Sequence, residues 1–362
     1  MAKFEGKDGR WITTKTGKHI FIEAGKTVEE AMGEAFEEFQ YDPDDDFDQD
    51  FDFDDEDDGG GIEIDWDKDD WTPEKRQYKK YETPEPADEN KAKLFKALKG
   101  KLKFGKDDRR WNIKGHFLSQ INSHEVQDED LYNIVTNQIA TNNDIIQKIR
   151  IRSEYKKGGT FYNRYKKGIF MAVSEGDDYM QTMSNLFHEA GHAIDNDGTG
   201  KYYSSTYISK IHGVTLQEML KDEISEIDIN KVKGRCEELE DLRDKVKALY
   251  NDGKIDYNTR VNERARLQSA RLSIIDVIQG THGAKYAMDN LGTFTHAGYY
   301  FDDKYDWLGP VNRGTEFFAE MTDDLINDKE RNFSQFMREI APKSTEIYFE
   351  ILKEKYGYGR TK

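Results

Sequence analysis

Five residues, His188-Glu189-Ala190-Gly191-His192, carry the strongest chemical signal in this chain. Histidines four apart on a helix stand one above the other on the same face, with the glutamate beside them. Two imidazoles in that arrangement can grip one zinc ion while the carboxylate reaches a metal-bound water. The implied chemistry is metal-assisted hydrolysis, with a peptide bond as the expected target. Eight histidines and 72 acidic residues in 362 positions would produce roughly 0.04 such matches by chance, so the pattern is not incidental. Leu186, Phe187, Ala190, Ala193 and Ile194 form an apolar stripe, which predicts a helix buried on the sides next to the histidines. Gly191 costs about 1 kcal/mol relative to Ala inside a helix, so its presence implies a close neighbour that needs the space.

Two histidines leave zinc short of a protein ligand. No other histidine stands at the short spacing after His192 that a third-histidine enzyme would use. The best candidate is Glu316, in Thr315-Glu316-Phe317-Phe318-Ala319-Glu320, a helical pattern with acids four apart. Glu316 is expected to coordinate the metal, while Glu320, one turn on, orients a histidine through its other ring nitrogen. Asp195, three residues past His192, shares that face and suits a supporting position.

The elements that must position these residues lie mostly in the second half of the chain. Leu131, Ile134, Val135, Ile139, Ile145 and Ile146 suggest helix; 149–152, 160–162 and 168–173 read as strands. The strand just before the His-Glu helix has the look of an edge to which an extended peptide would pair. Residues 215–280 are helical and heavily charged, an insertion expected to act as scaffold. Phe333, Phe336, Met337 and Ile340 are candidate core of the last helices. Upstream, Trp11–Lys15 and Lys18–Ile22 read as a hairpin turning at Gly17, and Thr27-Val28-Glu29-Glu30 opens a helix with a capping box. The expected organisation is a hairpin-helix module over 1–41, an acidic disordered linker over 42–90, a basic linker and helix over 91–129, and a catalytic domain over 130–362.

Charge is distributed unevenly. Of the net −18, residues 42–70 contribute −16, from seventeen acids and one lysine, so the rest of the chain is close to neutral. Like charges with little apolar area cannot fold alone. The segment reads as a solvated linker, as a docking element whose Phe and Trp residues anchor on a basic protein partner, as a nucleic-acid mimic, or as a restraint on the catalytic domain; its sign argues against direct nucleic-acid binding there. Cys236 is the only cysteine, which excludes an internal disulfide and a Cys-based metal cluster. No apolar run approaches the roughly 20 residues that span a bilayer, and the amino terminus shows no secretory signal.

The pattern His-Glu-x-Gly-His-x-x-Asp, followed far downstream by Glu-Phe-Phe-Ala-Glu, resembles the gluzincin catalytic domain of anthrax lethal factor-like toxins. It resembles still more the zincin domains of phage minor head (head-morphogenesis) proteins, in which Ser273–Gly280 and His296–Phe301 also have counterparts. The resemblance covers roughly residues 130–355. It implies an α+β zincin-like fold with a small mixed sheet and an active-site helix. It also implies His188, His192 and Glu316 as ligands of Zn2+ and Glu189 as general base. Lethal-factor enzymes place a tyrosine shortly before the downstream glutamate; Leu308 stands nearest that place here. Tyr300 or His296 is the candidate oxyanion donor instead, with Tyr299 and Tyr305 as rivals. The expected function is a phage- or prophage-encoded zinc endopeptidase cutting a protein or peptide substrate in the virion or host cytoplasm. A virion structural protein with a zinc-stabilised fold and a delivered metalloprotease toxin are the alternatives.

Overall fold

The computed structural model describes residues 2–4, 7–13, 19–23, 84–104, 113–152, 160–173, 179–293, 295 and 309–360. For the three amino-terminal stretches, and for positions 152, 179 and 309–312, the description is of backbone alone. The chain divides into two compact units, Met1–Arg76 and Gln77–Lys362.

The first unit contains an antiparallel sheet of β1 (Ala2–Phe4), β2 (Lys7–Thr13) and β3 (His19–Glu23) in that order. Trp11 pairs with Phe21 and Thr13 with His19. The turn at Gly17, the helix opening at Thr27 and the acidic run lie outside the described residues.

The second unit is α+β and mostly helical. Its elements run α1 (Glu89–Leu98), β4 (Leu102–Phe104), α2 (Ile113–Ser123), α3 (Glu129–Thr141), β5 (Lys148–Arg152), β6 (Phe161–Asn163) and β7 (Gly168–Ala172). There follow α4 (Tyr179–Asp195), α5 (Tyr203–Thr206), α6 (Leu216–Ser225), α7 (Ile229–Asn251), α8 (Tyr257–His282) and α9 (Ala284–Leu291). The chain closes with α10 (Gly309–Asn327), α11 (Asn332–Ile340) and α12 (Pro342–Tyr356). No described helix is long and apolar enough to cross a membrane.

Four strands make one small mixed sheet in the order β4-β5-β7-β6, parallel across the first three and antiparallel at β6. Alternation fixes which side is buried: Ile149 and Ile151 of β5, with Ile169 and Met171 of β7, face the helices and are fully enclosed. This order corrects the expected substrate edge. The strand just before the metal-binding helix, β7, is enclosed between β5 and β6, so the edge available on that side is β6. Sequence proximity to the helix was a poor guide because the sheet is not laid down in chain order.

The basic stretch 91–104, expected as linker and helix, joins the core: Leu94, Ala97 and Leu98 of α1 are buried and Lys91 with them, while Lys93, Lys96 and Lys99 are exposed and β4 pairs with β5. Asp88 caps α1 by accepting from the Lys91 N–H at 2.8 Å. The helical insertion is likewise only partly peripheral. The charged α7 buries Val232, Cys236 and Leu239, whereas the carboxyl-terminal half of α8, from Leu267 to Gly280, is largely buried. Phe333, Phe336 and Met337 are buried as expected, with Ile340 packed partly against them.

Helix α4 forms because its apolar residues recur at helical spacing: Leu186, Phe187, Ala190, Ala193 and Ile194 are all fully buried. It crosses α10 almost backbone to backbone at Gly191. A Cβ there would lie 2.7 Å from Ala319 Cα and 3.2 Å from both the Ala319 carbonyl oxygen and Thr322 Cβ. The cost of glycine in a helix is offset by an approach no other residue permits. Gly191→Ala should therefore destabilise the protein by about 1–3 kcal/mol, since the clash with backbone outweighs the gain in helix propensity. Denaturant unfolding checks this; an unchanged or higher midpoint would contradict the close crossing.

Candidate metal centre

The crossing brings the two motifs face to face. From α4, His188 and His192 present their Nε2 atoms 3.1 Å apart with the rings edge-on at 88°. From α10, the Glu316 carboxylate reaches both: Oε2 is 3.5 Å from His188 Nε2 and Oε1 is 3.5 Å from His192 Nε2. Ligand atoms of the three residues all lie within 4.8 Å of one another. Two imidazole nitrogens and one carboxylate oxygen converging on a point form the donor set that zinc takes in a site with an open position. The charge balance agrees, because Glu189, Glu316 and Glu320 are all buried around these two imidazoles. A divalent cation would offset that negative excess.

Glu320 sits one turn beyond Glu316 and holds His188 from behind, its Oε1 3.4 Å from the ring Nδ1. Its other oxygen accepts from the Ser273 hydroxyl of α8 in a short hydrogen bond. With both oxygens engaged, Glu320 orients His188 so that Nε2 keeps its lone pair toward the metal position. Asp276, also on α8, approaches Glu316 and Glu320 and accepts from the Thr295 hydroxyl. Neither Ser273 nor Asp276 stands out in the sequence as a site residue. Both lie in a charged helical segment whose periodicity reads as scaffold, and only the packing of α8 against α10 shows where they point.

Glu189 does not contact the metal ligands' donor atoms but lies beside them. Its Oε2 accepts from the backbone N–H of Tyr162 on β6 at 2.5 Å. Burial pushes its carboxyl up to about 7; Glu316 and Glu320 add to the rise, while His188 and the Tyr162 N–H oppose it. Burial would lower the His188 imidazole, but Glu320 and Glu316 outweigh it and hold it well above its usual value. Asp195 has a structural duty: its carboxylate accepts from the Ser204 N–H at 2.7 Å and the Ser204 hydroxyl at 2.5 Å, tying the end of α4 to α5. His296, Tyr299, Tyr300, Tyr305 and Leu308 lie outside the described residues, so no oxyanion donor is assigned among them.

No protein-family model, no curated protein and no solved structure matches the chain. The resemblance therefore rests on the motif residues alone.

Two predictions follow from this electrostatics. Glu320→Gln should weaken zinc binding by about 10–100-fold, measured by competition with a chelating dye; unchanged affinity would remove Glu320 from its orienting position. Burial also pushes Asp195 and Asp323 up to about 7. With Glu189 and His188 raised as well, the folded metal-free chain binds more protons than the unfolded one near neutrality. The stability these groups contribute should thus be fully present only below about pH 4 and be lost as pH rises from there through about 7, a slope that thermal unfolding at several pH values would reveal. A midpoint rising over that range would contradict the raised values.

Proposed function

We propose that this protein is a zinc-dependent endopeptidase. The observation that supports it most is the convergence of His188, His192 and Glu316 from two separate helices, with the buried carboxyl of Glu189 beside them. Those three residues would hold the ion. When bound, zinc supplies Lewis acidity to a substrate carbonyl and acidifies the water it coordinates.

The chain's own groups divide the remaining work. Tyr162 N–H fixes Oε2 of Glu189, which leaves Oε1 to take a proton from water and pass it to the departing amine. Glu320 keeps the His188 Nδ1 proton in place through the reaction. Strand β6 lies antiparallel at the sheet edge, and the Tyr162 N–H points away from β7 toward Glu189. An extended peptide added along that free edge would run past the reacting groups with its main chain aligned.

Following the resemblance, the enzyme is taken as phage- or prophage-encoded, cutting a virion or host protein; detection of the chain in purified particles tests the virion assignment. The chemistry is tested by Glu189→Gln, which should retain zinc while cleavage of a denatured protein mixture falls by about 10²–10⁴-fold. Turnover retained at the parental level would overturn Glu189 as base. Bound zinc with no cleavage by the parent would favour an ion that only stabilises the fold.

A further inference from the structure

The outer face of the four-stranded sheet carries a pattern that the metal centre does not use. Strand register lines up Lys103 of β4, Arg150 of β5, Phe170 of β7 and Phe161 of β6 in one row. Because Ile149, Ile151, Ile169 and Met171 fill the side facing the helices, this row lies on the opposite side. Lys148 belongs to the same face, its Nζ 5.7 Å from the centre of the Phe170 ring. Lys166 is close enough that Lys148 and Arg150, after burial, lower its ammonium from the usual value. Cations therefore crowd one another here. Among the described residues no carboxylate pairs with Lys103, Lys148 or Arg150, and nearby Asp144 is taken by Lys167 at 3.6 Å.

Aromatic surface accompanies the charge. Phe161 is 40% exposed and stacks on Phe170 with ring centres 5.0 Å apart. Tyr165, just past β6, is 68% exposed beneath the Arg164 guanidinium, 4.7 Å from its ring centre. Exposed aromatic faces beside cations are the composition of a recognition surface, since an exposed ring alone gains little and costs solubility.

We propose that this outer face binds an acidic, aromatic-containing segment of the polypeptide substrate that flanks the stretch to be cut. The inference rests on the peptidase reading and adds a substrate class to it. Position argues for a flank: β6 joins the face to the Glu189 edge, and a strand spacing of about 4.8 Å puts Arg150 and Lys103 roughly 10–20 Å from a chain paired on β6. That distance is too far for the residues being cut and within reach of a few residues beyond them. Carboxylates on the flank would meet Lys103, Lys148 and Arg150, and a ring would add to the Phe161–Phe170 stack. A protein ligand is favoured over nucleic acid because the face continues into β6, the edge along which the proposed polypeptide substrate runs.

The test uses the full chain with zinc chelated, so that binding is read without cutting. Fluorescence anisotropy would follow a labelled peptide alternating Asp with Phe, its Lys-Phe counterpart, and an oligonucleotide of equal negative charge. The Asp-Phe peptide should bind, and the Lys103→Gln/Arg150→Gln pair should weaken it by about tenfold at low salt. Lys103→Glu/Arg150→Glu should weaken it further, and the milder pair keeps the test decisive if charge reversal prevents folding. Unchanged affinity in the glutamine pair, equal binding of the Lys-Phe peptide, or tighter binding of the oligonucleotide would overturn the proposal. With zinc restored, the glutamine pair should cut a neutral peptide at the parental rate and lose efficiency only on substrates with the acidic flank. Binding as expected, with no peptide cut by any form, would uphold the surface and overturn the peptidase reading alone.

Discussion

The crossing of α4 and α10 at Gly191 is the constraint on which the site depends. His188 and His192 could share an ion with Glu316, more than a hundred positions away, only if their two helices approach closely. Glycine on one side and Ala319 on the other make that approach possible. Buried apolar neighbours then hold it: Phe187 and Ala190 on α4, Phe317 and Phe318 on α10. A looser crossing would separate Glu316 from the histidines and leave its carboxylate buried without a counter-charge, which costs several kcal/mol. Packing and charge therefore reinforce one geometry.

Around that crossing, buried polar groups are arranged in layers. The two histidines and Glu316 form the inner layer. Glu320 holds His188, and Ser273 holds Glu320, so the orientation of one imidazole is set through α10 by a hydroxyl on α8. A chain of hydrogen bonds in a low-dielectric interior is stiff, because each member that moves strands its neighbour. Ser184 of α4 donates to Asp323 of α10 at 2.6 Å, repeating the same logic one turn further along the crossing. Tyr162 of β6 links the Glu189 carboxylate to the sheet edge through its backbone N–H.

Much of the site was legible in the sequence because it is local. His188, Glu189 and His192 sit within one helical turn and a half, and Glu316 with Glu320 within another, so helix periodicity alone determines their faces. The apolar stripe of α4 and the strands β5, β6 and β7 were equally readable, since each is a short periodic run. What escaped was non-local. The order of strands in the sheet depends on crossovers that no local pattern records, so β7 was read as the edge that β6 occupies. The amphipathic pattern of 91–104 was readable too, but not that Leu94 and Leu98 would enter the core of the second unit. Ser273 and Asp276 were invisible because serine and aspartate on a charged helix carry no signal until α8 is packed against α10.

In the proposed site one metal ion is held jointly by α4 and α10. Zinc K-edge absorption spectroscopy on the zinc-loaded full chain, beside Glu316→Gln, would show it. The expected result is one zinc per chain with two imidazole nitrogens at about 2.0–2.1 Å and a carboxylate oxygen, and a measurable loss of the oxygen contribution and of affinity in the variant. A site with no imidazole scattering, or one left unchanged by Glu316→Gln, would contradict it.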